Sequence, residues 1–295
     1  MGDTRREGFV CRAWHRCDRL RQPALYARVA RSITRAIITV ITPLRMERWI
    51  ADWTRSVWTL CEKCGHDQQI PAVWAPDSRR VLFSDGETLV AHALDESTTD
   101  VVLVREPDRI MTPDVWLRDG RIVYESRARG TDSVDVRLLD PGANAGRVLV
   151  SLRQPASPAS DVSPDGRWLA YGSTESGQSD VIVQPLEKGG PRVTVSAGGG
   201  ADPMWSSDGR TVYYLRGLPS ATGILSADIS VAGDRLIAGP PRELFRRADP
   251  QGCTPRCIDV ASGPRFLLKD RSGIKRESVT RMDLVLNWTS TLPRN

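Results

Sequence analysis

The chain has 295 residues, 40% apolar and 6% aromatic, with 41 Lys and Arg against 36 Asp and Glu. That is an ordinary globular composition. The longest apolar run, residues 36–44, is about half the length a bilayer span needs and is flanked by Arg35 and Arg45, so no transmembrane segment is expected; nor does a signal-peptide pattern open the chain.

The charge is uneven. Residues 1–70 hold a net +6 and the remainder a net −1, and the first segment also carries Cys11, Cys17, Cys61 and Cys64. The composition therefore divides into a basic, Arg-, Trp- and Cys-rich extension (1–70) and a near-neutral body (71–295). Within the extension, Val29, Ile33, Ile37, Val40 and Ile41 recur at helical spacing before Pro43. Met46, Trp49, Ile50, Trp53, Val57 and Leu60 do so after it, with Arg45, Arg48, Asp52 and Arg55 opposite. Two amphipathic helices are predicted. Three readings stand open: a helical extension packed on the body, a basic helix touching an anionic membrane surface, or displaced blade sequence from a wrong gene start or frame.

Cys61-Glu-Lys-Cys64 is followed by His66, which offers three zinc ligands, and Cys11, His15 and Cys17 could complete a site. The spacing matches no standard finger, so incidental thiols are expected and zinc on Cys61, Cys64 and His66 is the alternative. A redox Cys-x-x-Cys would want a βαβ context, which is lacking. Cys253 and Cys257 are close enough in sequence for a small-loop disulfide in an oxidising compartment.

From residue 71 a repeat sets in. Val73-Trp74-Ala75-Pro76-Asp77-Ser78-Arg79 recurs around Trp116 and Asp119, around Val162, Asp165 and Gly166, and around Trp205, Asp208 and Gly209; a worn copy follows at 259–265. The intervals between turn positions are 42, 46, 43 and 55 residues. Each copy is a type I turn signal, with Asp at the third position and Gly taking positive φ at the fourth. An alternating run follows each turn (Val81 and Phe83, Ile122 and Tyr124, Leu169 and Tyr171, Val212 and Tyr214). Third strands are predicted at 88–94, 133–139, 180–186 and 223–230, and fourth strands at 100–104, 147–151, 192–196 and 242–245. Four short strands at this period describe a propeller blade. The fold class is thus an all-β propeller with about five visible blades, whether closed at five or short of a sixth, preceded by the helical extension. Trp74, Trp116 and Trp205 are assigned as wedges between blades. Asp77, Asp119, Asp165 and Asp208 are assigned to turn capping rather than to a cation-binding ring. Residues 282–288, apolar on both faces, suit a buried strand that completes a blade at ring closure.

Residues 161–171, the Val195-Ser-Ala-Gly-Gly-Gly and Pro203-Met-Trp-Ser-Ser-Asp-Gly segments and the terminal Val285-Leu-Asn-Trp-Thr resemble the TolB-like, WD-type propeller repeats of bacteria. The likeness is closest to propellers that follow the kinase domain in large bacterial serine/threonine kinases. It covers about residues 71–295 and implies an extracytoplasmic setting. The chain lacks a kinase Gly-rich loop, His-Arg-Asp loop and Asp-Phe-Gly, and no Gly-x-Ser-x-Gly elbow supports a hydrolase. His92 falls within a strand and is expected to be packed or on the surface. Glycines 198–200 lack the Gly-Lys-Ser/Thr of a phosphate loop. No catalytic residue, cofactor or nucleic-acid partner is therefore expected. The function expected is a non-catalytic module for a protein or peptide partner. The alternatives are a detached sensory propeller of a kinase, or a propeller enzyme or peptidase-associated propeller without its catalytic domain.

Overall fold

The computed structural model describes residues 24–29, 34–41, 46–64, 71–95, 99–154, 157–187, 190–218, 221–233, 235–248, 258–261, 265–269 and 282–285. Among them every regular element is a strand, and none is a helix long and apolar enough to cross a membrane.

The first sheet is β1 (Ala24–Val29), β2 (Arg35–Ile41), β3 (Met46–Asp52) and β4 (Val57–Leu60), paired antiparallel in chain order. This corrects the expected helices. Ile37 to Ile41 is a β-branched run, which is stiff at χ1 and packs well on a pleated surface. Ile37 and Ile38 are buried, and so is Arg48, which the helical pattern had placed on a solvated face. The Arg48 guanidinium donates to the Cys64 carbonyl and lies 5.5 Å over the Phe83 ring. Burial lowers its pKa to about 10.

The repeat supplies four more sheets in the same manner. The second is β5 (Val73–Trp74), β6 (Arg80–Ser84), β7 (Thr88–Ala93) and β8 (Val101–Arg105). The third is β9 (Arg109–Trp116), β10 (Ile122–Ala128), β11 (Ser133–Leu139) and β12 (Arg147–Arg153). The fourth is β13 (Asp161–Val162), β14 (Trp168–Ser173), β15 (Asp180–Pro185) and β16 (Val193–Thr194). The fifth is β17 (Ala201–Trp205), β18 (Thr211–Leu218), β19 (Ala221–Ala232) and β20 (Arg235–Ala238), with β21 (Arg242–Ala248) also paired to β19. A sixth sheet of three strands holds β22 (Ile258–Ala261), β23 (Arg265–Lys269) and β24 (Met282–Val285). β24, within the terminal apolar segment, pairs with β23.

Each sheet touches the next through its first strand, and β1 meets β22 and β23. The first strands thus ring an axis, and among the described residues the sheets form a propeller with four four-stranded blades, a five-stranded fifth and a three-stranded sixth. The core follows from this geometry: it is divided among the blade junctions. Trp74 packs with Ile37, Cys61 and Cys64 of blade one. Trp116 packs with Val73 and Leu82 of blade two, and Trp205 with Trp168 and Val181 of blade four. Where the third copy has Val162 instead, that valine packs on Val123 and Val136. Phe266 of blade six closes on Met204 and Tyr213, the two rings 5.1 Å apart edge to face.

The turns show why the repeat needs its residues. The Asp208 carboxylate accepts from the Ser206 hydroxyl at 2.6 Å and the Arg210 N–H at 3.0 Å, and these hold it below the usual carboxylate range. Asp165 accepts from Ser163 and Arg167, Asp119 from Arg121, and Asp77 from Arg79 and Arg80. Gly166 and Gly209 sit at φ 72° and 70°, the left-handed region that only glycine enters without strain.

Candidate functional site

Polar side chains gather at several places among the described residues, and two of these are candidate sites. The first is at the axis. Asp161 accepts the Trp205 N–H at 2.7 Å, and Asp114 accepts the Ser160 N–H at 3.3 Å and its hydroxyl. These first-strand aspartates tie blade four to blade five and blade three to blade four. Beside them, Glu125 on β10 is 4% exposed and accepts from the Ser157 hydroxyl at 2.6 Å and the Ala159 N–H at 2.9 Å. Burial pushes its carboxyl up to about 7, and the charge of Asp202 on β17 adds to this. Asp202 lies on β17, a first strand, and so at the axis of the ring.

The backbone is strained at this same place. Ala159 and Asp202 have φ of 48° and 50°. Both stand six residues before the turn aspartate of their blade, Asp165 and Asp208. A non-glycine residue held in this region costs roughly 1–3 kcal/mol and persists where the surroundings impose it, often at binding sites. Consecutive antiparallel strands put alternate connections at the same end of a blade, so the loops carrying Ser157–Ala159 and Asp202 lie at the end opposite the Asp165 and Asp208 turns.

The second place is the cleft between blades one and two. Cys61 and Cys64 form a disulfide, with 5.4 Å between their Cα atoms. The turn is fixed by the Cys61 N–H donating to the Arg48 carbonyl at 2.8 Å and by Arg48 donating to the Cys64 carbonyl. His92, from the third strand of blade two, reaches the same pair. Its ring nitrogen and the two sulfurs lie within 4.8 Å of one another, and all three residues are buried. His92 Nδ1 lies 2.6 Å from Asp100 Oδ1. A cavity of about 440 Å³ opens on Cys61 and His92, with Arg35, Asp52, Arg55 and Lys63 in its wall. A hydrogen bond from Thr54, then one from Arg35, holds Asp52 down at about 2.

His66, the histidine named with Cys61 and Cys64 from sequence, lies outside the described residues, as do Cys11, His15, Cys17, Cys253 and Cys257. Sequence reasoning placed His92 in a strand without linking it to the cysteines; no local spacing could do so, because the contact exists only after blades one and two pack. Glu125 and Asp202 also went unnamed. Their only sequence signal is a charged residue inside an otherwise apolar blade strand and an Asp at the start of another. Gly200, from the glycine loop, is packing rather than phosphate chemistry: a Cβ there would lie 2.8 Å from the Tyr214 ring.

No family model matches the chain, and no curated protein matches it. Solved structures do. The fold is a β-propeller, and TolB is among the solved structures that share it. TolB from Acinetobacter baumannii superposes with a TM-score of 0.60 at 15% identity, covering 88% of this chain and 62% of that one. An oligogalacturonate lyase in complex with manganese gives 0.55 at 16%, covering 81% and 72%. A propeller from a nidogen/laminin complex gives 0.54 at 11%, covering 77% and 81%. At such identities the likeness is one of fold. This chain spans less than two thirds of the Acinetobacter protein's length.

Proposed function

We propose that the chain is a non-catalytic propeller module that binds a protein or peptide partner at the axial channel mouth, at the end of the ring where Ala159 and Asp202 lie, with the buried Glu125 carboxyl bracing the Ala159 segment. The observation that carries this is that two strained non-glycine residues, Ala159 and Asp202, stand at the same position of successive blades, the first of them held by the buried Glu125 carboxyl. Strain and a buried carboxyl both lower stability, and a partner that binds only the folded ring at this place offsets them. That a propeller of the same fold occurs in a nidogen/laminin complex supports a protein partner. A narrower form, a sensory propeller detached from a bacterial serine/threonine kinase, rests on the blade-core residues 161–171.

The test uses the whole chain, because residues 24–60 supply a blade. A displayed peptide library is selected against it, and affinities of the enriched peptides are measured for Asp202→Asn, Glu125→Gln and a control, Val101→Ser/Val102→Ser, on an exposed outer strand. Loss of a hydrogen bond to a charged acceptor weakens binding about tenfold or more. Each mouth variant should do so and the control should not. Enriched peptides that bind both mouth variants as they bind the parent would refute the proposal.

A further inference from the structure

The cleft between blades one and two carries a chemistry that the channel mouth does not need. We propose that Cys61, Cys64 and His92 form a redox-gated zinc-type site: the dithiol form binds one borderline divalent cation through two thiolates and an imidazole, and the disulfide form releases it.

Three arguments converge. First, the donor set is the one such a metal takes. Zn²⁺ binds thiolate at about 2.3 Å and imidazole at about 2.0–2.1 Å. Donor atoms already within 4.8 Å of one another need only small shifts to surround one ion. Second, His92 is oriented as metal-ligating histidines are. Its Nδ1 is held by the Asp100 carboxylate at 2.6 Å, which leaves Nε2 as the ligand and fixes the ring. A carboxylate behind the imidazole is the common second partner of a zinc ligand. Third, the fourth coordination position has somewhere to be. The cavity of about 440 Å³ opens on Cys61 and His92, and three protein ligands with one open position is an arrangement that admits water or an exogenous ligand. Arg35, Arg55 and Lys63 outnumber Asp52 and Glu62 in the cavity wall, although Asp52 pairs with Arg35.

The chemistry balances with a thiol reductant. Two reductant thiols exchange with the Cys61–Cys64 disulfide, giving two cysteine thiols and the reductant's disulfide; two electrons pass to the protein pair. The metal then displaces two thiol protons to solvent as both Sγ–metal bonds form. Exchange with the reductant's disulfide runs the other way: the Cys61–Cys64 bond re-forms, the two electrons return to the reductant, which takes up two protons from solvent to give two thiols, and the ion leaves because His92 alone remains to hold it.

The test is Co²⁺ titration of the full chain, reduced with dithiothreitol and freed of it, against the oxidised chain. The reduced chain should bind one Co²⁺ with a thiolate-to-cobalt charge-transfer band and tetrahedral visible bands, displaced by Zn²⁺; the oxidised chain should show neither. Cys61→Ser/Cys64→Ser should abolish the band, and His92→Gln should weaken binding at least tenfold. Because His92 is buried, Asp100→Asn, at a more exposed position, gives a second reading: about 10–100-fold weaker binding, with an unchanged circular dichroism spectrum. The proposal is overturned by an absent band in the reduced parent, by a band that survives Cys61→Ser/Cys64→Ser, or by Asp100→Asn binding as tightly as the parent.

Discussion

Glu125 is a carboxyl that folding places where its charge is unwelcome. Burial, and then Asp202, hold it near 7 against an ordinary value of 4.5. The sign of the consequence follows from linkage. A carboxyl whose folded pKa is raised contributes its full stability below the unfolded value and loses it as pH climbs from about 4.5 to about 7. Glu125→Gln keeps an acceptor for Ser157 and Ala159 but has no charge to bury. The variant should therefore match the parent near pH 4 and exceed it above pH 7, by on the order of 3 kcal/mol. Urea unfolding midpoints at the two pH values check this, and equal midpoints at both would remove the burial argument. The gain in stability should accompany the loss of partner affinity expected of the same variant, because the group is kept at a position that favours binding over folding.

At the scale of the strand and turn, the blade boundary is the unit of stability, since a blade covers its faces only with its neighbours. Trp205 shows this: it is 6% exposed, begins blade five and packs on Trp168 and Val181 of blade four. Trp205→Ala leaves a cavity at the junction and should cost about 3–5 kcal/mol, read from the urea midpoint; a loss under about 1 kcal/mol would mean the junction is not where the tryptophan acts. These elements were the most legible in the sequence. The turn Asp, the Gly at positive φ and the period-2 run are local signals, and they put β11 at its observed residues, 133–139. What was not legible is whatever depends on two blades meeting. His92 joins Cys61 only where blades one and two pack, and Glu125 reaches Ala159 only where blades three and four pack. Blade one was misread for a different reason. In Ala36 to Ile41 the apolar residues are contiguous, and a contiguous run satisfies helical and strand spacing alike; β-branching at Ile37, Ile38, Thr39, Val40 and Ile41 is what decides for the strand.

At the scale of the whole molecule, four strands of the basic first quarter of the chain, between Ala24 and Leu60, form a blade. They lie between blade two, through Ile37, Cys61 and Trp74, and blade six, through β1 against β22 and β23. The surplus of positive charge is thus partly built into the ring, with Arg48 buried in it. Both candidate sites depend on closure. The cysteine cleft has one wall from blade one, and the axial mouth exists only if the first strands converge. Hydrogen exchange on the full chain, followed by mass spectrometry, tests closure most directly. The amides of β2 and β3 should be protected to the same degree as those of β14 in blade four and should open with them as one unit. Exchange of β2 and β3 to completion while β14 stays protected would show that residues 24–60 do not close the ring.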